Sequence, residues 1–416
     1  MNGQTSYVIA KRFVQKGELK MQLSDRVQKM QGSPIRKFNP IAIAAEEKGK
    51  KIYHLNIGNP DIQTPPCYLD AIKAYNADTI GYAESPGDVH LQDAIIDYFA
   101  QYDIKLTRDN VLVTNGGSEA LSMVFNVILN DGDDVLIPEP YYTNYHTFIT
   151  ASGGSVVPVQ TSPENGYEWA TEEQLEAAIT PNTKAIVCIT PGNPTGRVMT
   201  LDEMRVVAEF AKKHDLWIVA DEVYREFVFD GAKPTSLGML DDIADRVLIV
   251  DSISKRYSTC GGRVGILVHR NDDFHEAVMK IAMGRLCVPT LEMIGATELY
   301  RLPMSYIDSV RAEYEARRDV AYEELMKIPG VVCQKPGGAF YMTIKLPVES
   351  AEDFLIFMLE EFEDNGESMM FTPAAGFYAT PGKGIDEMRI AYVLCQDDIR
   401  RAMELLRLGI EAYNKK

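Results

Sequence analysis

Ser252, Ser254 and Lys255 stand together, and Arg263 follows within a Gly261-Gly262-Arg263-Val264-Gly265 turn. A primary amine can condense with a carbonyl, while hydroxyls and a guanidinium can hold a phosphate. The set suits an anchor for pyridoxal phosphate, which presents an aldehyde and a phosphate on one small molecule. The run before it, Val247-Leu248-Ile249-Val250, reads as a strand buried on both faces. A lysine just past the carboxyl end of such a strand sits where open parallel sheets bind ligands. A loop lysine is by default solvated, so the reading depends on what else the chain supplies.

Other chemistry-bearing groups also follow apolar runs. Asn110 to Thr114 reads as a strand and leads into Asn115-Gly116-Gly117-Ser118, ahead of an apolar helix. Strand, glycine turn and helix can present backbone N–H groups and a positive helix end to a phosphate. A tight turn alone explains Gly116-Gly117 equally well. Neither Gly-x-Gly-x-x-Gly nor a Walker lysine is present there, so a nucleotide is not indicated. The run Lys184 to Ile189 ends in Thr190-Pro191-Gly192-Asn193-Pro194-Thr195-Gly196, and Leu216 to Ala220 delivers Asp221-Glu222-Val223-Tyr224. Pro138 to Tyr145 reads as an aromatic-rich loop carrying Tyr142. Ser252-x-x-Lys255 also satisfies the Ser-x-x-Lys signature of β-lactamases. No Lys-Thr-Gly accompanies it, and Tyr142-Thr143-Asn144 precedes the lysine, so that reading is poor.

Strands alternate with helices as far as Arg263, which predicts an α/β fold with a mostly parallel, doubly wound sheet and ligand groups at the strand ends. Beyond Arg263 the pattern changes to long helices (about Phe274 to Gly284, Leu291 to Arg301 and Tyr306 to Lys327). Shorter strands follow near Val331, Ala339 to Ile344 and Met388 to Leu394, with a closing helix from Asp397. This predicts an N-terminal arm over residues 1–32 and a large ligand-binding domain over 66–301. A smaller α+β domain is expected from 33–65 together with 302–416.

Composition excludes several classes. The net charge of −18 argues against nucleic-acid or anionic-membrane partners. Six scattered cysteines suggest neither a disulfide framework nor zinc, and they fit a reducing cytoplasm. The histidines form no metal-ligand pair. No apolar run approaches membrane-spanning length, and the first residues lack a signal-peptide core.

Asn193-Pro194-Thr195-Gly196, Asp221-Glu222-Val223-Tyr224, Ser252-x-Ser254-Lys255 and Gly262-Arg263-x-Gly265 stand in one order and spacing. In this the chain resembles the class I/II aminotransferases of fold type I, from about residue 33 to its C-terminus. The resemblance implies a pyridoxal-phosphate enzyme that moves an α-amino group from an amino acid to a 2-oxo acid by a ping-pong route. Under it, Lys255 carries the cofactor covalently and then shuttles a proton, and Asp221 pairs with the pyridine nitrogen. Tyr224 and Asn193 hydrogen-bond the phenolic oxygen, and Tyr142 stacks on the ring. Gly116, Gly117, Ser118, Ser252, Ser254 and Arg263 form the phosphate cup. Tyr82 matches a tyrosine reaching the phosphate of a neighbouring subunit, which implies a homodimer. Arg389, in Asp386-Glu387-Met388-Arg389, matches the clamp on the substrate α-carboxylate, with Gly58 as a backbone contact beside it. Asn193–Pro194 is expected to be cis.

Substrate choice is less legible. An acidic donor, aspartate by first expectation with 2-oxoglutarate as acceptor, needs another cation. Some bacterial aspartate aminotransferases carry lysine where this chain has Ser118. Arg36, Lys37, Arg256 and Arg285 are the remaining candidates, each otherwise a solvated side chain. A carbon–sulfur β-lyase would use the same Lys255, Asp221 and Arg389. A non-catalytic cofactor-sensing regulator would need a DNA-binding domain, for which the polar N-terminal stretch is too short.

Overall fold

The computed structural model describes residues 21–416. Most of the expected N-terminal arm lies outside the described residues; within them, a short helix, Asp25–Lys29, is tied to Asp131 through Arg26 at 2.7 Å.

In chain order the strands are β1 (Lys51–His54), β2 (Val111–Thr114), β3 (Asp134–Pro138), β4 (Ser155–Val159), β5 (Thr183–Ile189), β6 (Trp217–Asp221), β7 (Val247–Ser252), β8 (Gly265–Val268), β9 (Tyr341–Lys345), β10 (Glu367–Met370), β11 (Thr372–Pro373) and β12 (Glu387–Ala391). Seven form one sheet in the order β2-β8-β7-β6-β5-β3-β4. Only β8 runs against its neighbours; the pairs from β7 through β4 are parallel. The expected mostly parallel α/β sheet is what the chain forms.

Alternate residues of each strand enter two different cores. Val247 and Ile249 of β7 face one side, and Leu248 and Val250 face the other. The same alternation holds along β5, where Ile186 and Cys188 oppose Ala185 and Val187. Helices cover both faces, among them Val89–Ala100, Leu201–Lys213 and Thr290–Tyr300 on one, and Gly117–Ile128 and Asp272–Arg285 on the other. Continuous apolar runs in the sequence are the signature of this two-sided burial.

A third core gathers residues from Phe38 to Leu55 and from Val310 to Ile410, joined by Tyr224, Phe227 and Phe229, around the antiparallel sheet β11-β12-β9 and the parallel pair β1-β10. The 22-residue helix Met304–Leu325 and the closing helix Gln396–Tyr413 pack there.

Some elements differ from expectation. Near Val331 there is only an isolated bridge, Val332 to Lys345. The segment after Arg263 opens with β8, where the sequence suggested only helices; a four-residue apolar run next to a glycine turn carries too little periodicity to show itself. The expected loop Pro138 to Tyr145 ends early, because Asn144 and Tyr145 already begin the helix Asn144–Ala151, whose first turn thus carries a residue of the cavity.

Candidate functional site

The carboxyl ends of β2, β5, β6 and β7 meet at one cavity of about 330 Å³. Every site residue singled out in the sequence lines it except Gly116 and Tyr82.

Lys255 sits on a single helical turn, Ile253–Arg256, which directly extends β7. Its Nζ donates to the Gly58 carbonyl at 2.9 Å and lies 3.8 Å from Cys260 Sγ. Among the described residues, no carboxylate is within ion-pair distance of this amine. Gly58 is required where it stands, because the Tyr341 hydroxyl fills the space a Cβ would need.

Asp221 ends β6 and points to the cavity from a buried position. It accepts hydrogen bonds from the Tyr145 hydroxyl and, at 3.4 Å, from the Val223 N–H, but has no cationic partner among the described residues. Burial pushes its carboxyl up to about 6, helped by the nearby Asp251 and Glu222 carboxylates and opposed by the Tyr145 bond. The folded value lies above the ordinary 3.8. The ionised form is therefore penalised by folding, and ligand-free stability falls as pH rises from about 4 through about 6. Asp221→Asn keeps an acceptor for Tyr145 and removes the buried charge. We expect the ligand-free variant to be more stable than wild type at pH 8 by on the order of 1–3 kcal/mol, and no more stable at pH 4. Urea midpoints at the two pH values check this; equal midpoint shifts at both would show that the carboxyl is not strained by burial.

Arg389, on β12, is 1% exposed and has no carboxylate partner among the described residues. Its guanidinium donates to Asn193 Oδ1 at 3.1 Å and to the Asn56 carbonyl at 2.5 Å, and its Nε has no partner. The rings of Tyr341 and Phe377 lie 4.7 and 5.0 Å away. Burial pulls its pKa below the ordinary arginine value. A buried cation is costly unless paired, and an anion in the cavity that Arg389 lines would supply the missing partner. The Asn193–Pro194 bond is cis, as expected, and Glu139–Pro140 and Thr190–Pro191 are cis as well.

Tyr224 donates its hydroxyl hydrogen to Tyr341 at 3.0 Å. Tyr142 lines the cavity, accepts from Asn144 Nδ2 at 2.7 Å and meets the Tyr145 ring edge-on at 5.8 Å.

On the other side, Gly117 begins the helix Gly117–Ile128, capped by Gly116 at φ +77°. Any Cβ on Gly116 would run into the Arg263 guanidinium, which itself donates to the carbonyls of Asn115 and Cys260 at 3.3 and 3.0 Å. Gly116 thus stands behind the cavity wall and permits Arg263 to form it. Ser118, Ser252 and Ser254 bring their side chains to the same region.

The residues fit pyridoxal phosphate. An amine without a carboxylate, an enclosed carboxylate without a cation, and a helix N-terminus beside hydroxyls and a guanidinium complement an aldehyde, a basic ring nitrogen and a phosphate.

Two site residues escaped the sequence reading. Tyr145 lay in the stretch taken for loop, and Tyr341 in the expected strand Ala339 to Ile344, with no site role read for either. Their positions depend on a helix and on a strand from the other body of the molecule.

Of the four cations considered for a substrate side chain, the structure leaves one. Arg285 faces Glu119 at 3.3 Å and donates to the carbonyls of Ser85 and Val113, away from the cavity. Lys37 pairs with Glu352 at 2.7 Å. Arg256, expected to be solvated, is fully buried on the opposite side of its segment from Lys255. It meets Asp251 at 2.6 Å and Glu226 at 2.8 Å, while Arg225 meets Glu222 at 2.8 Å and Asp251 at 3.4 Å. Arg36 lines the cavity. Tyr82 does not; it is 85% exposed.

The chain matches the family model for aminotransferase class I and II over residues 50–365. It is 31% identical over 403 residues to an aspartate aminotransferase of Geobacillus stearothermophilus, covering 94% of this chain and 100% of that protein. An aromatic-amino-acid aminotransferase of Thermococcus litoralis is also 31% identical, with 92% and 97% covered. The solved alanine aminotransferase of Pyrococcus furiosus superposes with a TM-score of 0.86 at 28% identity, covering 94% of this chain and all of that one.

Proposed function

Since the chain belongs to the class I and II aminotransferases, and is thus a pyridoxal-phosphate-dependent amino-acid transaminase, we propose that the residues around its cavity divide the work as follows. Lys255 would hold the cofactor covalently, and its amine would serve as the proton carrier at the substrate Cα. Asp221 keeps the proton on the pyridine nitrogen. Tyr224 and Asn193 hold the phenolic oxygen, and Tyr142 covers the ring. Gly116, Gly117, Ser118, Ser252, Ser254 and Arg263 enclose the phosphate, with the guanidinium and the helix N-terminus supplying positive charge. Arg389 grips the α-carboxylate, where its planar fork fixes the Cα–H bond in front of Lys255. When bound, pyridoxal phosphate supplies an electron sink for the charge that develops at Cα. The observation that carries this division is the buried Arg389 facing the same cavity as Lys255 and an enclosed Asp221, neither cation having a carboxylate partner among the described residues.

Aspartate is the proposed amino donor and 2-oxoglutarate the acceptor. Support comes from relatives named aspartate aminotransferases in Geobacillus stearothermophilus and Bacillus subtilis, and from the cation left at the cavity. Incubating the enzyme with single amino acids and 2-oxoglutarate tests it. Glutamate formed from aspartate, with release of the matching oxo acid, is the expected result. Pyruvate and ammonia released without 2-oxoglutarate would show the β-lyase, which the relatives' names do not favour.

The proposed assembly is a homodimer in which Tyr82 donates to the phosphate held by the partner. Its exposure, with Ile80 and Val89 also exposed nearby, supports this. One hydrogen bond to a charged acceptor contributes about 1.5–3 kcal/mol, so Tyr82→Phe should weaken cofactor retention roughly 10- to 150-fold. Mixing Lys255→Ala chains with Tyr82→Ala chains should restore activity, because each heterodimer has one site free of both lesions. No gain despite proven subunit exchange would place Tyr82 in its own subunit's site.

The proposed division of the chain keeps residues 66–301 as the large domain, and 33–65 with 302–416 as the small one. A core drawn mostly from Phe38 to Leu55 and Val310 to Ile410, which Tyr224, Phe227 and Phe229 of the large domain join, supports it. Among the described residues no helix is long and apolar enough to cross a membrane. A cytoplasmic location is proposed, supported by six cysteines that are all unpaired.

A further inference from the structure

We propose that a cleft behind the wall of the main cavity is a second binding site, for a small organic anion, and that an anion held there acts on the amino-acid site through the wall the two share. The cleft has a volume of about 790 Å³, within the roughly 300–1,000 Å³ typical of small-molecule sites. It lies between the short helix Asp25–Lys29, the start of β4, the helix Asn144–Ala151 and the segment at Tyr378. Its charge is opposite to that of the chain, which carries −18. Among the described residues its lining holds two full cations, Arg26 and Lys29, and one carboxylate, Asp131. Asp131 is neutralised by Arg26 at 2.7 Å, and Lys29 has no carboxylate partner among the described residues. The uncompensated charge of the cleft is therefore positive, which favours an anion.

Two neutral polar groups line the same cleft. Tyr141 is 3% exposed, and its hydroxyl has no hydrogen-bond partner among the described residues. Burial pushes that phenol up to about 12, so it stays protonated and can donate. The His146 Nδ1 is also without a partner, and burial pulls this imidazole below its ordinary value, so it is neutral at pH 7. A buried polar group left unpaired costs stability, and a ligand oxygen at Tyr141 would remove that cost. A spare cation with unpaired donors suits a carboxylate or a phosphate on a small polar body, and does not suit an apolar molecule.

The wall between the cleft and the main cavity is one residue thick. Tyr141 lines the cleft, while the next residue, Tyr142, lines the cavity. His146 lines the cleft, and Tyr145 before it lines the cavity and donates to Asp221. Tyr378, also on the cleft, donates to Glu387 at 2.7 Å, two residues before Arg389 on β12. The Tyr141 N–H donates to the Phe377 carbonyl at 2.9 Å, and the Phe377 ring lies 5.0 Å from the Arg389 guanidinium. An anion that draws on Tyr141 and His146 therefore pulls on the same backbone that carries the ring cover, the partner of Asp221 and the support of Arg389.

The test titrates citrate and inorganic phosphate into the holoenzyme by calorimetry, in wild type, Tyr141→Phe and Lys29→Gln. Neither substitution lies on the lining of the main cavity. Tyr141→Phe removes a hydroxyl with no partner in the ligand-free chain, so its urea midpoint should not fall below that of wild type. Affinity for the probe should nevertheless drop roughly 10- to 150-fold, as when one hydrogen bond to a charged acceptor is lost. Lys29→Gln should weaken binding about 1.5- to 5-fold, as loss of an exposed charge does, and added salt should erase that difference. In wild type the probe should also change KM for the amino donor, and in Tyr141→Phe the same change should require more probe, in proportion to the lost affinity. The tighter of the two probes tells a carboxylate ligand from a phosphate one. Failure of both probes to bind at millimolar concentration overturns the proposal. So does binding that both variants leave unchanged, which would place the anion in the main cavity. Binding weakened by the variants, with KM unmoved at saturating probe, overturns the coupling. The binding readout does not depend on turnover, so its failure is separate from a failure of the aminotransferase reading.

Discussion

Lys255→Ala should leave the cofactor bound without a covalent link and stop amino-group exchange. Among the described residues Lys255 is the only amine on the cavity wall, and it is held within reach of the centre by the Gly58 carbonyl rather than by a carboxylate. Two functions are lost with it. Borohydride-treated, denatured wild type should retain cofactor mass, and the variant should not. Positioned proton transfer contributes about 10²–10⁴-fold, so kcat in a single half-reaction should drop by at least that factor. The phosphate-side groups and Arg389 remain, so cofactor and carboxylate binding should persist. Methylamine added to the variant should return some rate, because a free amine can occupy the space left by the side chain. Unimpaired turnover in Lys255→Ala would refute the assignment of this residue.

Arg256→Met should be the most destabilising single change near the site. The residue is fully buried, and its guanidinium joins Asp251 on β7 to Glu226 beyond β6. Removing one partner of a buried pair costs about 3–5 kcal/mol, because the other charges stay behind unpaired. Burial already pushes the Glu226 carboxyl up to about 7, against the pull of Arg256. Its folded value exceeds the ordinary 4.5, so its ionised form weakens the fold as pH rises through that interval. Without Arg256 the folded value moves higher still. The loss in urea midpoint should therefore be larger at pH 8 than at pH 5.5. A midpoint unaffected at both values would mean that the cluster carries no stability. Restoration by Arg256→Lys should be incomplete, since one ammonium cannot reproduce two directed hydrogen bonds.

The same cluster shows where local sequence information ends. Lys255 and Arg256 are adjacent cations, and nothing in their types distinguishes them. Position along the backbone does: one faces the cavity, and the other faces a closed interior with Glu222, Arg225, Glu226 and Asp251. The paired alternation Asp221/Glu222 and Ser252/Asp251 follows the same rule, since successive side chains at a strand end point to opposite faces.

By itself the sequence determined the large sheet and most of the cavity wall. Long apolar runs imply strands buried on both faces, and the glycines, prolines and polar groups that end them mark the carboxyl edge where ligands bind. Asn193, Asp221 and Lys255 are therefore legible as a linear series of strand endings, with Arg263 in the glycine turn that leads into β8. Only the tertiary structure decided the rest. Tyr145 reaches Asp221 from a helix of its own, and Tyr341 reaches Tyr224 from the antiparallel sheet. Arg389 faces the cavity because β12 is held between β11 and β9 with its side chain turned in, beside a segment near residue 36 that is distant in the chain. Those pairings join residues separated by up to several hundred positions. They are set by the packing of two cores against each other, and no local pattern in the chain encodes them.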